Sequence, residues 1–411
     1  MSKLNRRHLL AWILYDWAAS AFSAIILTFV YATYFVTSVA ATPAEGVAGW
    51  GFALGLSGLI VGVGAPIVGA LADQGYHRKW GMAFWTFVAI MSIACMWFIR
   101  PAPAYAFWGL ILIGIALVSV EFAYVFYNAM LPELANRKQI GRWSGLAWGL
   151  GYIGGMTSLI LALVFFVEPS AIGAQDVRAT FLMTAAWYLI FSLPVFLLTP
   201  PDRVNKLEAF RIRAFKAAQN IVQSFRQVHA VRPVFHFLIA RMIFTDALIT
   251  LFTFGGIYAA AMFMMPEEEI LLFGISMNVV AGMGALIFAY LDDLFGSKKV
   301  IISALLGLIV MGTMTLLMND KEMFWMSALC MGLFVGPAQA SSRAYLAKVS
   351  PPAFAHQLFG MYALASKATS FIGPLTVGWV TYWSGSLRLG MGAIIILLMI
   401  GLLLMIKVAR D

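Results

Sequence analysis

The chain has 411 residues, of which 62% are hydrophobic and only 11% are charged, with a formal net charge of +9. Soluble domains carry about 25% charged residues, so these figures exclude a soluble globular protein and point to a polytopic helical membrane protein. A transmembrane β-barrel needs alternating segments of about ten residues, whereas this chain shows long continuous apolar runs.

The first run, Ala11 to Phe35, is long enough to cross a bilayer. It is too long, and lacks the small-residue cleavage site, for a cleavable signal peptide. It carries Asp16. An ionised carboxylate facing lipid costs roughly 2.5 kcal/mol or more, so Asp16 needs a bundle interior, a cation or a proton beside it.

About twelve spans follow the hydropathy. Six lie near 11–37, 48–71, 80–99, 104–129, 145–167 and 179–198. A polar stretch runs from Thr199 to Arg232, and six more spans lie near 234–264, 270–291, 300–318, 323–346, 358–382 and 388–406. This divides the chain into a bundle over 1–198, a linker over 199–232 and a second bundle over 233–411. Along the linker Leu207, Phe210, Ala214, Ala218, Ile221, Phe225 and Val228 recur at three- and four-residue steps between bases. That pattern fits an amphipathic helix on an anionic leaflet; a simple tether between halves is compatible with it.

Basic residues gather on one side of the spans, among them Arg6, Arg7, Arg78, Lys79, Arg137, Lys138, Arg142, Lys298, Lys299, Arg343 and Lys348. Only Arg100, Arg178, Lys321 and Arg388 fall on the other side. The bias places both termini in the cytoplasm. It also explains the net charge through orientation, so a nucleic-acid partner is not expected. Cys95 and Cys330 both fall within spans and read as apolar fillers.

The two halves repeat. Gly69-Ala-Leu-Ala-Asp73 precedes Arg78 and Lys79 after the second span, and Ala289-Tyr-Leu-Asp-Asp293 precedes Lys298 and Lys299 after the eighth. Asn128 and Arg343 open matching stretches, and Gly145 and Gly360 keep the same spacing. Asp16 of the first span is answered by Asp246 of the seventh. Two six-helix halves in parallel repeat are a transporter plan.

The acidic-then-basic loops resemble those of the major facilitator superfamily, although Gln74 stands where that motif often has a base. A more specific resemblance is to the vacuole-effluxer-like permeases. It rests on Leu14-Tyr-Asp-Trp-Ala18, Asn128-Ala-Met-Leu-Pro-Glu-Leu134 and Ser144-Gly-Leu-Ala-Trp-Gly-Leu-Gly-Tyr-Ile-Gly-Gly155, with Gly336-Pro-Ala-Gln339, Ser342-Arg343 and Gly373-Pro374 further on. The resemblance implies the major facilitator fold, alternating access and export of small metabolites such as amino acids.

Five ionisable residues fall within spans as candidate substrate or proton groups: Asp16, Glu121, Arg241, Asp246 and Lys367. Intramembrane charge of this kind usually marks a pathway. Glu121 shares a helix face with Tyr124 and Asn128, a candidate polar wall. Alternatively, Glu121 is neutralised by Lys367 or Arg241 across the bundle. Arg241 and Asp246 are five residues apart and do not stack on one face, so each is expected to pair with a neighbouring helix. Asp73, Arg78, Lys79, Asp293, Lys298 and Lys299 are the expected gate on the cytoplasmic side. Tyr31 and Tyr258 read as part of an aromatic belt, with cavity lining as the alternative.

No GxxxxGK[ST] loop and no HExxH pair occurs, so ATP drive within this chain and metal catalysis are not expected. The reading is therefore a secondary transporter, not an enzyme, with no cofactor or metal. It would act as a monomer in lipid, in a bacterial inner membrane, on a small molecule and protons. An exporter of a siderophore, drug or other organic ion is the alternative substrate class. A receptor or scaffold is the alternative of another kind.

Overall fold

The computed structural model describes residues 3–73, 78–167, 175–199, 232–265, 267–351, 355–367 and 369–409. Most of the linker falls outside this set, and the amphipathic helix expected there lies with it. The apolar runs form helices because backbone groups in hydrocarbon must be bonded within their own segment. The helices are α1 (Lys3–Ala21), α2 (Pro43–Asp73), α3 (Arg78–Cys95), α4 (Ala106–Leu134), α5 (Ile140–Ala162) and α6 (Gln175–Leu198). Then come α7 (Arg232–Phe263), α8 (Glu267–Phe295), α9 (Ser297–Leu317) and α10 (Lys321–Val349), followed by α11 (Ala355–Lys367), α12 (Ile372–Ser384) and α13 (Leu387–Lys407). The first span continues beyond α1 through wider π windings, Phe22–Phe29 and Phe35–Val39.

Helix pairing repeats between the halves. In the first, α1 packs on α5 and α6, α4 on α2 and α3, and α3 on α6. In the second, α7 packs on α13 and on the α11–α12 pair, α10 on α8 and α9, and α9 on α13. The halves meet along two seams, α5 against α8 and α2 against α11.

Glycine makes both seams close. A Cβ on Gly145 of α5 would lie 2.4 Å from Cβ of Ala289 on α8. A Cβ on Gly360 of α11 would lie 2.4 Å from the Ala65 carbonyl oxygen on α2. The two glycines that share one repeat spacing therefore occupy equivalent places on opposite seams. Small residues let membrane helices approach this closely.

Two expectations change. The eleventh span, expected as one helix over 358–382, is two helices of 13 residues each, α11 and α12. Residues 369–371 turn between them. Pro374 sits in the first turn of α12, where its missing N–H costs nothing, but its ring blocks continuation from the preceding turn. Among the described residues, eleven helices are individually long and apolar enough to cross a bilayer, and this broken span is not one of them. The tyrosines also change role. Tyr31 is fully buried and donates to the Gly109 carbonyl at 3.0 Å, and Tyr258 is buried, so neither faces the lipid interface. Exposed aromatics at that end include Trp379, Tyr382 and Trp383 of α12, with Phe107 and Trp108 of α4.

Gly145→Leu and Gly360→Leu will each push a seam apart, at a cost of about 1–3 kcal/mol to the closed arrangement. Thiol labelling at the seam end bearing the basic residues will rise in both. Gly392→Ala, where an added Cβ meets nothing within 4 Å, will not raise it.

Candidate functional site

A cavity of ≈ 710 Å³ lies between the halves. From the first half it is lined by Asp16, Ser20, Glu121, Tyr124, Asn128 and Trp148, and from the second by Arg241, Thr245, Gln339, Arg343, Tyr362 and Ser366. Phe252, Tyr258, Phe273 and Phe324 continue its wall toward the end away from the basic residues. The Glu121, Tyr124 and Asn128 face of α4, predicted from its i, i+3, i+7 spacing, does line this space. The charged residues on its wall are Asp16 and Glu121 from the first half and Arg241 and Arg343 from the second.

Arg343 closes the floor. Its Nη1 donates to Asp16 Oδ2 at 2.8 Å, and its Nη2 to the Ser144 carbonyl at 2.8 Å. Its Nε donates to Ser144 Oγ at 2.9 Å. A longer contact, 3.5 Å, reaches Asn128 Oδ1, its repeat mate 215 residues away. The guanidinium lies 5.0 Å from the Trp12 ring centroid, 5.7 Å from Tyr127 and 5.8 Å from Trp148. All of these partners belong to the first half. Arg343 and Asp16 are buried, at 3% and 7% exposure.

In sequence Arg343 counts among the bases that set topology, although it falls within the expected span 323–346; the structure adds a role that count does not contain, because α10 runs to Val349 and its Arg343 and Lys348 are bonded inside the protein. Lys348 donates to Asp292 Oδ1 at 2.7 Å, and Ser297 Oγ donates to the same oxygen at 2.7 Å. The signal for Arg343 was the Ser342-Arg343 stretch and its match to Asn128, a polar position already placed within a span.

Asp246, the mate of Asp16, has a different setting. It is 2% exposed and is absent from the cavity wall. Its Oδ2 accepts from the Gly373 N–H at 2.9 Å, in the first turn of α12. Arg241, five residues earlier, donates through Nη1 to the Tyr362 carbonyl at 2.9 Å and Ser366 Oγ at 3.0 Å, near the end of α11. Its guanidinium also lies 3.3 Å from the Tyr362 ring centroid. An anion thus meets the positive end of one half-helix, and a cation the negative end of the other. The five-residue step suits this, because the two ends of the break are separated along the span. Lys367 is the last residue of α11, and its side chain lies outside the described residues.

The expected gate residues separate into two groups. Asp293 crosses between halves: it accepts from the Arg142 backbone N–H at 2.9 Å and lies 3.4 Å from Arg142 Nε. The others with described partners act within a half. Arg78 pairs with Glu133 at 2.5 Å, and Lys79 donates to the Thr199 carbonyl at 2.6 Å. Lys298 donates to the Ile406 and Val408 carbonyls at 2.8 and 2.5 Å. Lys79 and Lys298 therefore satisfy the carbonyl ends of α6 and α13, a usual task for a base there. Lys299 is exposed, and the Asp73 side chain lies outside the described residues.

The architecture is that of a major facilitator transporter. Solved structures with this fold include the transporter FucP in its outward conformation, with a TM-score of 0.76 at 13% identity over 99% of each chain. A bacterial homologue of the iron transporter ferroportin, in an outward-facing state, gives 0.73 at 13% identity over 98% of each chain. The chain belongs to the Vacuole effluxer Atg22 like family, whose model matches residues 51–142 and 136–411. It is 26% identical to the uncharacterized MFS-type transporter YxiO of Bacillus subtilis (strain 168), over 98% of this chain and 94% of that protein. It is also 23% identical to autophagy-related protein 22 of Saccharomyces cerevisiae (strain ATCC 204508 / S288c), over 63% of this chain and 55% of that one. The chain spans about half the length of the fungal relatives it matches. It is thus a multi-pass membrane transporter of the major facilitator type.

Asp246→Ala will leave the Gly373 N–H without its acceptor, at a cost of about 1–3 kcal/mol. Thermal unfolding in detergent will fall by several degrees, and Asp246→Asn, which keeps an acceptor oxygen, will recover most of the loss.

Proposed function

We propose that this transporter exports small zwitterionic, amino acid-like metabolites by alternating access. The observation that carries the reading is the charge arrangement of the cavity. Two acids, Asp16 and Glu121, border the cavity from the first half and two bases, Arg241 and Arg343, from the second, with Asp16 and Arg343 paired at its floor. A molecule with one ammonium and one carboxylate meets opposite charge on both walls. A singly charged ion meets like charge on one of them, a cost of the kind that gives specificity. The polar groups Tyr124, Asn128, Gln339 and Ser366 add donors and acceptors between the charges.

Direction follows the family description, an effluxer. Sidedness follows the basic bias, with both termini cytoplasmic, and the match to a Bacillus relative supports a bacterial cytoplasmic membrane. The cavity then faces outward, and the sealed end, with its Arg142–Asp293 and Lys348–Asp292 pairs, faces the cytoplasm. Glu121, which stands on the cavity wall, is the acid to which this reading assigns the proton of the cycle. The chain works as a monomer.

Flux from proteoliposomes tests this against a panel of amino acids, short peptides, organic anions, organic cations and sugars. Neutral amino acids will be carried and sugars will not. Asp16→Asn and Glu121→Gln will each lower flux at least tenfold, and a pH gradient will drive it. Transport of singly charged organic ions in place of zwitterions would overturn the substrate class, and flux indifferent to the gradient would remove the proton.

A further inference from the structure

Among the described residues, Arg343 is the base on the cavity wall shown bonded across the halves. It is carried by α10, yet Asp16, Ser144 and Asn128, and the rings of Trp12, Tyr127 and Trp148, all come from the first half. The second half thus inserts a base into a socket of the first. Opening the sealed end by separating the halves must withdraw that base. Both members of the ion pair are buried, and parting a buried pair strands two charges without partners. Bare separation is therefore disfavoured, and the sealed state is held by the pair as well as by the glycine seams.

Both charges also border the cavity, so a ligand can reach them from the open side. A carboxylate can take the guanidinium in two parallel hydrogen bonds, a geometry that Arg matches and Lys does not. An ammonium can take the carboxylate that is released. One internal ion pair then becomes two pairs to the ligand, and neither charge is stranded. An anion alone would leave Asp16 bare, and a cation alone would leave Arg343 bare.

We propose that the Arg343–Asp16 ion pair is a latch operated by the substrate. The substrate carboxylate takes Arg343, its ammonium takes Asp16, and while both are held the halves are free at the sealed end; in export the substrate arrives from that end, and its departure through the open side leaves Arg343 and Asp16 to pair again and seal it. The exchange rests on the zwitterion reading of the cavity. The latch itself rests on the bonds of Arg343 to the first half. Arg343 is thereby a specificity-determining residue that requires both charges on one molecule.

The test is a distance measurement with spin labels at the exposed positions Lys138 and Lys407, one on each half at the basic end, in full-length protein in lipid. Without ligand the wild type will give a single short distance. A mixture of neutral L-amino acids will add a longer one; the corresponding amino acid amides, which lack the carboxylate, will not. Arg343→Ala and Asp16→Asn will each move at least half of the population to the longer distance without any ligand. The double variant Asp16→Asn/Arg343→Gln has no charge to strand. It will return toward the short distance, ignore amino acids, and carry them at least 100-fold more slowly. Arg343→Lys guards against misfolding in the alanine variant: it will stay short without ligand and slow flux about tenfold, because an ammonium cannot make the forked contact.

Single variants with the wild-type distance in the absence of ligand would overturn the latch. Amides that open the wild type as well as amino acids do would overturn the exchange, as would a double variant that transports within tenfold of wild type. Absence of amino-acid flux in wild-type vesicles would overturn the zwitterion reading and the exchange together. The ligand-free distances decide the latch separately.

Discussion

The contact on which the arrangement depends is Arg343 of α10 in its socket on the first half, bonded to Asp16 and Ser144. Buried ion pairs contribute little net stability compared with apolar packing, but breaking one is costly. This pair therefore acts less as glue than as a condition on which state the halves adopt. It stands at the floor of the cavity, where the open space ends and the seams begin. Below it, Gly145 and Gly360 bring the helices of both seams together, and Arg142–Asp293 and Lys348–Asp292 lie at the sealed end. Above it, the walls part and the charges of the two halves face one another.

The halves share helix pairing but not every local solution. α5 winds on through Gly154 and Gly155, whereas its counterpart in the second half breaks at residues 369–371. Pro374 prevents continuous winding, and a break inside a membrane exposes backbone groups that must find partners. Arg241 and Asp246 supply them from α7, one at each end of the break. The two equivalent aspartates consequently diverge. Asp16 faces a continuous neighbour and is left to meet Arg343, while Asp246 is occupied by the N–H of Gly373. Repeat position alone does not assign a shared task.

Fold legibility followed from the strongest physical signal available, the exclusion of charge from about twenty-residue runs. Apart from the break in span 11, the spans, the repeat and the Glu121, Tyr124 and Asn128 face could be read from spacing, since helix periodicity fixes which residues share a face. The role of Arg343 within the bundle was missed because near a span end a base that sets topology and a base that enters the bundle look alike in sequence. The belt reading of Tyr31 and Tyr258 failed because position along a span says nothing of rotation about its axis; for Tyr258 the alternative, cavity lining, holds.

What the sequence determined by itself was the class of molecule, its helical spans, its internal repeat and its family. Each of these depends on composition and on local or regularly spaced residues. What only the tertiary structure decided was partnership: Arg343 with Asp16, Asp246 with Gly373, Lys79 and Lys298 with the ends of α6 and α13. Those choices depend on which helix faces meet across the bundle. Burial then forces each charge to the nearest group that can satisfy it, however far away along the chain that group lies.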